Sequence, residues 1–159
     1  MAVLLTAARI LPCRASAAFA LATDPERFPG FFAGFGPVPA LRRITLHGPL
    51  GVGSTRQVDS SDGSALTERV VAHAPPQHHA YVLSGLRPPL GLLVREGRAD
   101  WHFVPEADAT LVSWTYRFEL TTPLAWPLAA PLLHVFMRGA MQRCLDAMAA
   151  TCAQPVAVS

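Results

Sequence analysis

The sequence predicts an α+β domain: a curved, seven-stranded antiparallel sheet wrapped around a long C-terminal helix, with two short helices between strands 1 and 2. Three observations carry this. Six β-rich segments follow one another from Leu41, separated only by short Gly, Pro, Asp and Ser punctuation, which is the pattern of an antiparallel meander. The last two of them alternate apolar and polar residues, so one face of the sheet is dry and the other wet. The period then becomes helical from Leu132 to Ala150, and this amphipathic helix can cover the dry face.

The elements follow in order. Val3 to Leu11 is aliphatic and stops at Pro12, which reads as strand 1. Arg14 to Ala22 is Ala-rich and reads as a short helix. Thr23-Asp24-Pro25 starts a second one, with Pro25 in a first helical turn. Phe28, Phe31, Phe32 and Phe35 form an aromatic cluster broken by Pro29, Gly30 and Gly34. The six later strands are read at Leu41 to His47, Val52 to Asp59, Ala65 to His73, His78 to Ser84, Leu92 to Val104 and Thr110 to Thr121.

Two hairpins can be registered. Ser61-Asp62-Gly63 suits a three-residue loop with glycine in the left-handed position. That register sets Val58 opposite Leu66, Arg56 opposite Glu68, Ser54 opposite Val70 and Val52 opposite Ala72, all on the inner face. The second hairpin turns through Glu106 to Ala109. It puts Leu93, Arg95, Ala99, Trp101 and Phe103 on one face with Val112, Trp114, Tyr116 and Phe118. Thr122-Pro123 signals a helix start, and Pro127 and Pro131 should kink or break the first turns. Leu133, Phe136, Met137, Ala140, Met141, Cys144 and Met148 then share one arc.

Composition narrows the class. With 159 residues, 51% hydrophobic and 15% charged, the chain is one ordinary domain and not a disordered one. Residues 1–152 read as that domain and 153–159 as a tail. A net charge of +2 gives no field for nucleic acid, and Arg42-Arg43 alone is no phosphate-tracking patch. Arg9 and Arg14 interrupt the apolar start, so no secretory leader is read, and Leu124 to Met137 is too short to span a bilayer. Cys13, Cys144 and Cys152 are odd in number, and Cys144 and Cys152 stand about 12 Å apart along one helix. A reducing, cytoplasmic setting is expected, with the protein a monomer or homodimer.

The order of elements, together with particular stretches, resembles the START-like superfamily, which includes the polyketide cyclase/dehydrase and lipid-transport proteins. The stretches are CRASAAFALATDPERFP at 13–29, GVGSTRQV at 51–58, DGSALTERV at 62–70, HAPPQHHAY at 73–81 and ATLVSWTYRFEL at 109–120. Each is loose alone, but their order and spacing cover nearly the whole chain. The resemblance implies a helix-grip fold and a cavity for hydrophobic or amphipathic molecules such as a lipid, quinone or polyketide-like compound. It implies no particular reaction, because this fold hosts carriers, cyclases and sensors alike.

Several residues are candidates for such a site. Arg56 and Glu68 face each other on the inner face, either as a polar anchor or acid/base pair for a ligand or as a structural ion pair. Arg95 points inward by alternation and could clamp an anionic group, unless a bulge sends it to solvent. Tyr81, Trp101, Trp114 and Tyr116 could line a pocket or simply fill the core, as could Met137 and Met141 on the helix. His78 and His79 are adjacent on a strand and point to opposite faces, so they cannot chelate one ion together. No His-x-x-x-His or Cys-x-x-Cys spacing occurs, and neither metal nor cofactor is expected. A binding protein for a small hydrophobic ligand is the leading reading. The alternatives are a cyclase or dehydratase using Glu68, and an interaction module with Phe31, Phe32 and Phe35 as its surface.

Overall fold

The computed structural model describes residues 1–153, so residues 154–159 of the expected tail lie outside the described residues. Strand β1, Ala2–Leu11, buries Val3, Leu5 and Ala7 on alternate positions and ends at Pro12, which has no N–H for a ladder. Helix α1, Ala15–Thr23, buries Ala18, Phe19, Leu21 and Ala22. The expected second helix is only a 3-10 turn, Phe28–Gly30. Pro29 has no N–H to bond backward and Gly30 favours no helix, so the turn cannot grow.

The sheet contains β2 (Leu41–His47), β3 (Thr55–Ser60), β4 (Ala65–Ala74), β5 (His78–Ser84), β6 (Val94–Glu106) and β7 (Ala109–Leu120). Its order is β1-β7-β6-β5-β4-β3-β2, antiparallel throughout. The first hairpin has the expected register, with Arg56 opposite Glu68 and Val58 opposite Leu66. Gly63 supplies the left-handed residue of its turn at φ +84°. Strand β3 starts at Thr55 rather than Val52. The chain turns at Gly51–Ser54, where the Ser54 hydroxyl donates to the Gly51 carbonyl at 2.7 Å, and Val52 is 70% exposed. Strand β6 likewise starts at Val94, because Leu90–Leu93 coil into the single turn α2.

The covering helix begins earlier than its periodicity suggests. Helix α3, Trp126–Leu132, passes through a π-turn at Leu133–Met137 into α4, Arg138–Ala153. Pro127 sits in the first turn, where its missing N–H costs nothing. Pro131 lies inside, and the π-turn directly after it takes up the misfit. Met137, Ala140, Met141, Cys144, Leu145 and Met148 are buried against the sheet. Arg138 and Gln142 donate to carbonyls of β1, Thr6 and Ala8, which ties α4 along that edge strand. The last turn of α4 also brings Cys152 beside Cys13, sulfur to sulfur at 2.7 Å across 139 residues of chain, a contact no local spacing announces. Among the described residues no helix is long and apolar enough to cross a membrane.

Candidate functional site

Between the inner face of β3–β7 and the covering helix lies a cavity of about 190 Å³. Its wall is built by alternation. Val58, Leu66, Leu83 and Phe118 project from β3, β4, β5 and β7, and Met137 closes it from the helix side. Gly97 on β6 belongs to the same construction. A Cβ there would meet the Phe118 ring at 2.8 Å, so only glycine lets that ring lie flat against the strand. The rim comes from two irregular segments, Pro37–Pro39 and Gly85–Leu90.

A buried polar cluster borders this mainly apolar space. The Arg56 Nε donates to Glu68 Oε2 at 2.7 Å, and Nη2 approaches the same oxygen at 2.7 Å. Both contacts fall on Oε2, so no protein group bonds Oε1 among the described residues. The pair is buried, with Arg56 4% and Glu68 6% exposed. Desolvation raises the Glu68 carboxyl above its ordinary range, opposed by the charge of Arg56. The Arg56 guanidinium also lies over the Tyr81 ring, 4.7 Å from its centre. The hydroxyls of Tyr81 and Tyr116 stand 3.3 Å apart, and burial raises both phenols, so they remain neutral hydrogen-bonding groups. Trp114 lines the cavity, and its buried indole N–H has no partner among the described residues. Buried donors are seldom left unpaired, so that N–H is an exception within the core.

The residues singled out from sequence separate into groups. Glu68, Tyr81, Trp114, Tyr116 and Met137 line the cavity. Arg56 stands behind Glu68 and reaches the space only through it. Trp101 is stacked on Trp114 at 4.2 Å and belongs to the core, as does the fully buried Met141. Arg95 is a correction: the register slips between Val94 and Glu96, and this bulge turns the Arg95 side chain to solvent. The expected aromatic surface is partly withdrawn from water, with Phe31 and Phe35 half-buried. Phe32 is buried, while Phe31 and Phe35 pack against the core; the Arg143 guanidinium lies 3.9 Å above the Phe35 ring. Val58 and Leu66 were legible as inward from the same hairpin register. The rim at Gly85–Leu90 has no periodic signal and could not be found that way.

Comparison with known proteins agrees with this architecture. The family described as polyketide cyclase / dehydrase and lipid transport matches residues 2–153. No curated protein matches the sequence. A truncated norcoclaurine synthase from Thalictrum flavum superposes with a TM-score of 0.73 at 14% identity, covering 98% of this chain and 96% of that one. Ara h 8.0201 gives 0.72 at 10% identity, covering 96% and 98%. The di-domain ARO/CYC protein StfQ of the steffimycin biosynthetic pathway gives 0.73 at 15% identity, covering 94% of this chain and 50% of that one. At such identities the likeness is one of fold.

Proposed function

Because the chain belongs to the polyketide cyclase / dehydrase and lipid-transport family, we propose that it holds a small hydrophobic or amphipathic molecule between its sheet and covering helix. The observation that carries this is a mainly apolar cavity with the buried Glu68 carboxyl in its lining. Glu68, Tyr81 and Tyr116 line it among mainly apolar side chains, with Ser60, Asp62, Ser64 and Arg87 as its other hydroxyl-bearing or charged lining residues. Apolar burial supplies the affinity, and those groups orient the guest's polar end. Size narrows the guest. An apolar cavity of about 150 Å³ takes up a single benzene ring. A space of about 190 Å³ suits a compact guest such as a bicyclic phenol or quinone, or a short amphiphile.

Mass spectrometry of an organic extract from natively purified protein should find a stoichiometric guest of this class. Titration with bicyclic phenols should perturb tryptophan fluorescence through Trp114. Flat titrations across phenols, quinones and short amphiphiles would remove the proposal. Filling the space from Leu66, a half-buried wall residue, should block it. Leu66→Trp is expected to weaken binding at least about tenfold, a loss of about 1.4 kcal/mol. Unchanged affinity in that variant would place the guest elsewhere.

A second reading rests on Glu68 alone. A carboxyl pushed upward by burial, with one oxygen open to the cavity and two phenols nearby, can exchange a proton with a carbonyl-bearing guest. In this cyclase or dehydratase reading, Glu68→Gln abolishes turnover of a polyketide-like substrate and keeps its binding. Turnover that survives Glu68→Gln would take Glu68 out of the chemistry.

A further inference from the structure

His78 and His79 point to opposite faces, and the strand pairing decides what each one meets. His79 faces inward, opposite Trp101. His78 faces outward, opposite His102 on β6, and the two imidazoles stack at 4.5 Å with only 5° between their planes. Asp100 lies two residues before His102, so it shares the outer face. Its Oδ1 is 2.9 Å from His78 Nε2. One ligand atom from each of His78, Asp100 and His102 lies within 4.8 Å of the others. The three side chains are thus gathered on the opposite side of the sheet from the cavity.

From this we infer a divalent transition-metal site of the zinc type, formed by His78, His102 and Asp100 across β5 and β6. The donor set is two imidazoles and a carboxylate, which suits zinc, nickel(II) or copper(II) and leaves positions for water. Around a tetrahedral ion with bonds near 2.1 Å, ligand atoms stand about 3.4 Å apart. Antiparallel pairing holds the two histidines directly opposite each other, so little backbone ordering is left for binding. Asp100 is positioned from outside. Arg98 Nε donates to its Oδ2 at 3.0 Å and Nη2 to its Oδ1 at 3.5 Å, while Oδ1 stands nearer to His78. His78 and Asp100 are partly exposed and His102 is exposed, so the ion can arrive from water. On the β7 side, Ser113 and Thr115 stand opposite His102 and Asp100, and they are neutral and small. The bound ion bridges β5 to β6 independently of any guest in the cavity.

The test uses tag-free, full-length protein with thiols kept reduced, titrated calorimetrically with zinc chloride and separately with nickel chloride. One equivalent should bind, and zinc should raise the melting temperature. His102→Ala should weaken the affinity at least about tenfold, because losing a direct ligand costs no less than losing an outer-sphere partner. Asp100→Asn should weaken it in the same direction. Because these side chains lie on the wet face, both variants should keep the metal-free melting temperature near wild type, and a far-ultraviolet dichroism spectrum verifies their folding. Stoichiometric binding unchanged in His102→Ala would put the ion elsewhere, for instance on the Cys13–Cys152 thiols, and would overturn the assignment. Absence of any binding up to millimolar zinc would overturn it as well. Neither result bears on the cavity, whose guest is tested by extraction and fluorescence.

Discussion

Replacing Arg56 with methionine is expected to cost about 3–5 kcal/mol of stability, the usual penalty for removing one partner of a buried ion pair. Among the described residues the guanidinium is the sole protein partner of the Glu68 carboxyl, and both groups are almost wholly withdrawn from water. Without it, Glu68 must stay charged and unpaired or take up a proton at neutral pH. The cation over the Tyr81 face is lost too. For a chain of this length the melting temperature should fall by roughly 10 °C. Equilibrium urea unfolding of Arg56→Met and of Arg56→Met with Glu68→Leu measures this directly. The double variant should recover most of the loss, since it leaves no orphaned charge. A single variant that loses less than about 1 kcal/mol would mean that Glu68 is already protonated in the folded protein and that Arg56 donates to a neutral carboxyl.

Acid should destabilise the fold well before the surface carboxylates titrate, and His79 should be the main cause. Its side chain is fully buried on the inner face, 3.3 Å from His73 Nδ1, and its Nε2 has no partner among the described residues. Desolvation, helped by the charge on Arg56, holds it down to about 3 from an ordinary value of 6.5. The folded state therefore keeps His79 neutral where the unfolded chain takes a proton. Its contribution is complete above about pH 6.5 and declines as pH falls toward about 3. At about 1.4 kcal/mol per pH unit, the loss over that window reaches roughly 5 kcal/mol. Glu68, raised by burial, acts in the opposite direction. The decisive quantity is thus the difference between wild type and His79→Leu. That variant should be no less stable at pH 7 and should show a visibly flatter stability profile between pH 6.5 and pH 4. Parallel profiles would show that His79 is protonated, or solvated, in the folded state.

The Arg56–Glu68 pair was legible because it is a local fact. A three-residue turn at Ser61-Asp62-Gly63 fixes the register of the hairpin it closes, and register fixes which residues face each other. The inward direction of Tyr81, Trp114 and Tyr116 follows from the same period of two. Arg95 was misplaced for the same reason. Alternation assumes an unbroken ladder, and the bulge between Val94 and Glu96 inserts a residue that no composition signals. The start of the covering helix was misplaced because Pro127 and Pro131 read as breaks, whereas a first turn tolerates one and a π-turn absorbs the other.

By itself the sequence determined the fold class, the strand order expected of a meander, the dry face of the sheet, and one buried ion pair. All of these follow from periodicity and turn chemistry within a few dozen residues. The tertiary structure alone decided where the empty space lies, since its rim is made by irregular loops brought over the sheet from distant parts of the chain. It also decided that Trp101 and Met141 are core while Trp114 and Met137 are wall, a matter of depth that alternation cannot grade. Contacts such as Cys13 with Cys152 and His78 with His102 were likewise its decision. Periodicity states which face of an element avoids water; only packing states which side chain of another element meets it there.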